Sequence, residues 1–234
     1  MKYVLILMLS INVFAFSPTT GNMSGNKEIE NYKNHNQKEK FSYSEMISFL
    51  KNSKNKNKLM ILGVLYAQRS DKPDDYGVYI EADPALSLKY IMKSYHMGNK
   101  EALVILAGLI LYNDNMAKLD MNLDKTKNIL IKAKNENTKS AEFMLALVEL
   151  LRKEYEIGVK DMVIAAENGD ASAQLEAALI FQKGIAKSKN SKEYIIKPQR
   201  DLSEYYLNKA CTNENKSDKI TEFCNSSLIK SQIN

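Results

Sequence analysis

The stretch "AAENGDASAQLEAALIFQKGIA", residues 165–186, gathers seven alanines in a chain otherwise rich in Leu, Ile, Tyr and Lys. Two apolar, helix-forming segments meet at Gly169-Asp170. Glycine there can take the left-handed backbone conformation that ends a helix. The small side chains of Ala165, Ala166, Ala173, Ala177 and Ala178 then let one helix stop and the next begin in close contact. The stretch reads as a helix–turn–helix junction built for stacking.

The same phrase recurs along the chain. "KLMILGVLYAQ", "DPALSLKYIMKSYHMGN", "KEALVILAGLILYN", "DKTKNILIKAKNEN", "SAEFMLALVELLRK", "IGVKDMVIAAENGD" and "RDLSEYYLNKACTN" alternate apolar helical faces with polar junctions, and no convincing period-two strand pattern interrupts them. Start signals repeat: Asp83 before Pro84 reads as an N-cap with Pro at the first helical position, and Asp124, Asp201 and Ser44 read as further caps. Gly98-Asn99 supplies a second stop like Gly169-Asp170. Ala102, Ala141 and Ala173 follow successive junctions at intervals of 39 and 32 residues, and Leu62 and Leu106 are 44 apart. Such intervals, with two helices per unit, predict an all-α fold, an α-solenoid of stacked antiparallel helix pairs.

Leu62-Gly63 with Tyr66, the later Gly77-Val78, Ala165-Ala166, and Gly169-Asp170 with Ala173 together resemble Sel-one-like repeats, relatives of the tetratricopeptide family. The resemblance spans about Leu59 to Cys224. Gly98, Ala102, Ala141, Ala166 and Ala177 fall on the same repeat signature. The resemblance implies a right-handed superhelix of four or five helix pairs whose concave surface binds other proteins or peptide segments. "YYLNKAC" with the later "EFC" is similar to the cysteine-rich branch found in exported bacterial proteins, where a disulfide staples the two helices of a repeat. The junction "KAKNENTKSAEF" departs from the family in having no Gly, and two loops are longer than usual.

At the N-terminus, "MKYVLILMLSINVFAFSP" carries one Lys and then an apolar run from Tyr3 to Phe16. Those 14 residues fall short of the ~20 that a spanning helix needs, and they fit a secretory signal. Val13 and Ala15 supply small residues three and one positions before a cut, so residues 1–15 read as a signal peptide. An uncleaved anchor is the alternative. Residues 16–42 are polar and read as a disordered leader. Residues 43–234 form the solenoid domain. The reading places the mature protein in the periplasm or, alternatively, outside the cell, with no stable membrane insertion after cleavage.

Export changes how the cysteines read. Cys211 and Cys224 are the only pair, separated by 12 residues, and in an oxidising compartment a disulfide is the default expectation. The only histidines, His35 and His96, are not spaced as metal ligands with them. The net charge of +5 comes from a general abundance of Lys rather than a basic stripe interleaved with aromatics, which argues against nucleic acid as a partner.

No catalytic constellation emerges, and no cofactor is implied. His35 lies in the leader, and His96 ends a helix. Ser-x-x-Lys, a signature worth checking for penicillin-binding chemistry, occurs at Ser24–Lys27, Ser53–Lys56 and Ser227–Lys230, never with its companion motifs. Two long loops are the candidate contact surfaces. Tyr76 and Tyr79 lie in the first, among Asp71, Asp74, Asp75, Glu81 and Asp83, where aromatics beside polar groups make good interface anchors. Lys189, Lys192 and Tyr194 lie in the second, a Lys-rich stretch whose simplest reading is a flexible solvated loop. The expected function is a non-catalytic exported scaffold or adaptor. The alternatives are an envelope enzyme acting on peptidoglycan or β-lactams, and a secreted host-interaction effector.

Overall fold

A computed structural model of the chain describes residues 42–67, 73–113, 116, 119, 121–188 and 191–226. The expected signal peptide, the leader up to residue 41 and Lys189 lie outside the described residues. Ten helices make up nearly all the regular structure among these residues, and they fall into two compact units, 42–138 and 139–226.

The first unit holds α1 (Tyr43–Lys51), α2 (Lys56–Ala67), α3 (Pro84–His96), α4 (Glu101–Tyr112) and α5 (Leu123–Asn135). Helix α2 packs along α3, and α4 packs along both α5 and α3. The second unit holds α6 (Ala141–Leu151), α7 (Tyr155–Glu167), α8 (Ala171–Lys183), a short β1–β2 hairpin, α9 (Arg200–Thr212) and α10 (Asp218–Asn225). There α6 pairs with α7, α7 with α8, and α8 with α9. Four helix pairs result, two in each unit: α2–α3, α4–α5, α6–α7 and α8–α9.

Laying the pairs over one another exposes a common register. The first helix of each pair seats a small residue in the same place, Gly63, Ala107, Ala146 and Ala178, and all four are buried. The second helix does likewise with Ser87, Thr126, Gly158 and Ser203. In the first and last pairs these seats face one another, while Gly158 closes on Leu150. A methyl group on Gly63 would come within 3.0 Å of the Ser87 carbonyl, and the Ser203 hydroxyl donates to the Ala178 carbonyl at 2.9 Å. Three residues further along, Tyr66 stacks on Tyr90 at 5.8 Å, and Phe181 stacks on Tyr206 at 5.9 Å. The first and last pairs thus repeat both a close backbone approach and an aromatic clasp, although they share little sequence.

The ends of the second helices repeat as well. Gly98 and Gly169 both adopt φ of 87°, and Asn137 takes the equivalent place with φ of 53°. In each case the next residue's N–H reaches back to the helix: Asn99 to Ser94 at 3.1 Å, Thr138 to Ala133 at 3.0 Å and Asp170 to Ala165 at 3.1 Å. This is the Schellman termination, which satisfies carbonyls the helix leaves open. The junction without glycine therefore turns like the others, because Asn is the residue other than Gly that best tolerates the left-handed region.

Several starts differ from expectation. Asp83 caps α3 as read, accepting the Leu86 N–H at 2.9 Å. Helix α1 is capped by Ser42 instead of Ser44, since the Asp74 carboxylate takes the Tyr43 N–H at 2.9 Å and fixes the start earlier. Asn122 caps α5 by accepting the Lys125 N–H, which leaves Asp124 in the first turn, where its charge favours the helix N-terminus. Helix α9 begins at Arg200 with no side-chain cap; its entry is fixed by the Gln199 N–H donating to Phe181 at 2.7 Å, and Asp201 sits in the first turn.

Candidate interaction surfaces

The first long loop is organised by one carboxylate. Asp74 Oδ1 accepts the N–H groups of Tyr76 at 3.0 Å and Val78 at 2.9 Å, while Oδ2 accepts that of Tyr43. The backbone closes the same turn: the Asp74 N–H donates to Val78 at 2.8 Å and the Gly77 N–H to Asp74 at 3.0 Å. Burial of the Asp74 carboxyl pushes its pKa up, but the three backbone N–H groups together outweigh that and hold it below its ordinary value. Ile80 anchors the far side in the core beside Tyr43, Leu59 and Tyr90, and the Asp83 N–H ties the end of the loop to the Tyr66 carbonyl at 2.7 Å. On this tethered frame Tyr76, Val78 and Tyr79 are 62%, 50% and 42% exposed. Sequence reading placed both tyrosines in a contact loop but treated Asp74 as one carboxylate among several. The signal for its role was the spacing Asp-x-x-Gly, which favours a turn closed by the Asp side chain.

The described part of the second long loop is solvent-exposed over most of its length and holds a short hairpin. Gly184, at φ of 70°, turns the chain out of α8 into β1 (Ile185–Ala186), which pairs antiparallel with β2 (Tyr194–Ile196). Ile185 is buried, and β2 packs against α7. The Lys187 N–H donates to the Glu193 carbonyl at 2.9 Å, and the side chains of the two residues pair at 2.7 Å. The ladder is only two to three residues long, too short for the alternation that betrays a strand. Tyr194 is 39% exposed on it, and Lys183, Lys187, Lys192, Lys197 and Arg200 are exposed around it.

Two further clusters join successive second helices. In the first unit Tyr95 donates its hydroxyl to Glu136, the Lys132 ammonium sits 4.6 Å over the Tyr95 ring, and Lys100 donates to the Glu136 carbonyl. In the second, Lys209 bonds Glu167 at 2.7 Å and lies over Tyr205, which meets Tyr206 edge-on at 5.0 Å. Lys132 and Lys209 occupy the same register position. Burial first, then the hydrogen bond to Glu167, pushes the Tyr206 phenol up to about 12. The hydrogen bond from Lys209 is the largest of the effects holding Glu167 below its ordinary value. These groups are engaged in holding helices together.

The residues weighed for chemistry are dispersed. Ser53 Oγ accepts the Asn55 N–H at 3.0 Å, while Lys56 Nζ donates to the Gly98 carbonyl at 2.8 Å. His96 leans on Tyr95 in the last turn of α3. His35, Ser24–Lys27 and Ser227–Lys230 lie outside the described residues. Among the described residues no group of three or more His, Cys, Asp or Glu could hold a metal ion, and no helix is long and apolar enough to cross a membrane. Cys211 and Cys224 are joined by a disulfide, Cα–Cα 5.7 Å, linking α9 to α10.

Helix pairs with repeated small-residue seats, aromatic clasps and left-handed terminations define an all-α solenoid. The chain is similar in structure to the crystal structure of a Sel1 repeat protein from Oxalobacter formigenes, with a TM-score of 0.54 at 16% sequence identity, covering 85% of this chain and 73% of that one. Its fold is therefore that of the Sel1 repeat proteins. No protein-family model matches the sequence, and no curated protein matches it.

Proposed function

We propose that this protein is a non-catalytic, exported scaffold that binds other proteins or peptide segments of the bacterial envelope. The observation that carries this reading is the first long loop, where Asp74 and Ile80 hold the turn while Tyr76, Val78 and Tyr79 face solvent. Displaying aromatic side chains on a fixed backbone lowers the ordering cost of binding, and tyrosines are favoured interface anchors. The Sel1 repeat fold supports the same reading by analogy of architecture. The Cys211–Cys224 bridge supports an oxidising compartment, with the periplasm preferred over the extracellular space.

The test is a photo-crosslinking amino acid placed at Tyr76 or Tyr79 in the native envelope, read by mass spectrometry, with the same label at exposed Lys89 as control. Protein crosslinks specific to the loop are expected. Labelling indistinguishable from Lys89 would overturn the reading, as would β-lactam or muropeptide hydrolysis by the pure protein that a single Ser or Glu substitution abolishes.

A further inference from the structure

The two long loops carry opposite charge and matching exposed aromatics. Residues 73–83 contain Asp74, Asp75, Glu81 and Asp83 and no Lys or Arg, an acidic island on a chain whose net charge is +5. Tyr76, Val78 and Tyr79 stand at its surface. The described part of the hairpin segment 183–200 presents Lys183, Lys187, Lys192, Lys197 and Arg200, of which Lys187 pairs with Glu193 and Arg200 with Glu204, and Tyr194 is exposed among them. Each loop is held in place by its own unit: the first by the Asp74 hydrogen bonds and the buried Ile80, the second by the β1–β2 ladder and the buried Ile185. Preformed loops of this kind can dock without first being ordered.

We infer that the occupant of the acidic aromatic loop is a second copy of this chain, which docks with the basic hairpin around Tyr194. The inference rests on the proposed role of the loop as a contact surface and names its partner. Charge complementarity selects that partner. The loop attracts a basic surface carrying apolar side chains and repels its own like, so loop-to-loop pairing is disfavoured while loop-to-hairpin pairing is favoured. The contact is heterologous, using a different patch on each copy. Single exposed ion pairs contribute little, but several acting together add to the aromatic and Val78 contacts, so the affinity needs both and falls with salt.

Sedimentation velocity of the full chain over a range of concentrations tests this. Association is expected at about 50 mM salt and is expected to be lost at about 500 mM, where screening reaches within contact distance. The loop variant Asp75→Lys/Glu81→Lys and the hairpin variant Lys187→Glu/Lys192→Glu should each be monomeric alone, because each largely cancels the net charge of one of the two loops and so removes their complementarity. Mixed together they should form complexes again, since the unaltered hairpin of the first variant meets the unaltered acidic loop of the second. Tyr76→Ala/Tyr79→Ala should weaken association at least tenfold without altering the circular dichroism spectrum or the melting temperature. A chain that stays monomeric at low salt at every concentration overturns the inference, and so does association that survives both charge reversals or fails to recover on mixing. If loop-specific crosslinks reach other proteins while the pure chain stays monomeric, this inference fails and the scaffold reading stands.

Discussion

Replacing Gly63 with Ala tests the seat on which the first helix pair is built. The added methyl carbon would stand 2.5 Å from Ile91 Cγ1 and 3.0 Å from both the Ile91 nitrogen and the Ser87 carbonyl oxygen. Carbon pairs prefer about 3.5–4.0 Å, so α2 and α3 would have to separate by roughly 1 Å, or Ile91 would have to leave its rotamer. Ile91 is fully buried, and two of the three opposing atoms belong to backbone that cannot rotate aside. Overpacking of this kind costs about 1–3 kcal/mol, while the helix propensity of Ala over Gly returns about 1 kcal/mol. A net destabilisation of about 0–2 kcal/mol is expected, whereas at an open helical position the same change would stabilise by about 1 kcal/mol. Urea unfolding followed by circular dichroism at 222 nm measures it. The double variant Gly63→Ala/Ile91→Ala isolates the contact: with Cγ1 gone, it should be less destabilised than the sum of the two single variants. A Gly63→Ala protein stabilised by the full ~1 kcal/mol of an open helical position would refute the close approach and the seat with it.

Two other perturbations have definite expectations. Helix α10 spans eight residues and buries Ile220 against Ala171, Leu175 and Ala210. That is too little for an isolated helix, so Cys211→Ala/Cys224→Ala should cost about 3 kcal/mol on the chain-entropy model and make α10 the first site of proteolytic cleavage. An unchanged urea midpoint and digestion pattern would count against the bridge. For Tyr206, the folded phenol is pushed up to about 12 from an ordinary 10.0. A folded pKa above the unfolded one stabilises fully below pH 10 and is lost as pH rises toward 12. Tyrosinate absorbance at 295 nm should therefore show a late-titrating phase that Tyr206→Phe removes. A titration curve of unchanged shape in the variant would refute the burial and Glu167 contact assigned to Tyr206.

How much of this was legible in the sequence varies by element. Gly98 and Gly169 announced helix ends because few other residues accept their φ, and Asp83-Pro84 announced a start because cap and fixed φ act locally. Asn137 was harder, since Asn also serves in ordinary polar junctions, and only the neighbouring helices require the left-handed turn there. Ser44 reads as the cap of α1 in the sequence, where nothing local marks Ser42 as the true one. The choice was made by Asp74, some thirty residues away, reaching the Tyr43 N–H. The same long-range bond turned one carboxylate in an acidic loop into its frame.

The sequence by itself determined the helices, their alternation with turns, the recurrence of small residues and hence the solenoid class. These follow from side-chain period and backbone preference, which act over a few residues. Only the tertiary structure decided which small residues face each other, that Tyr66 meets Tyr90 as Phe181 meets Tyr206, and that the Lys-rich loop folds into a hairpin with Ile185 inside. Those outcomes depend on contacts between segments far apart in the chain, whose energies no local pattern records.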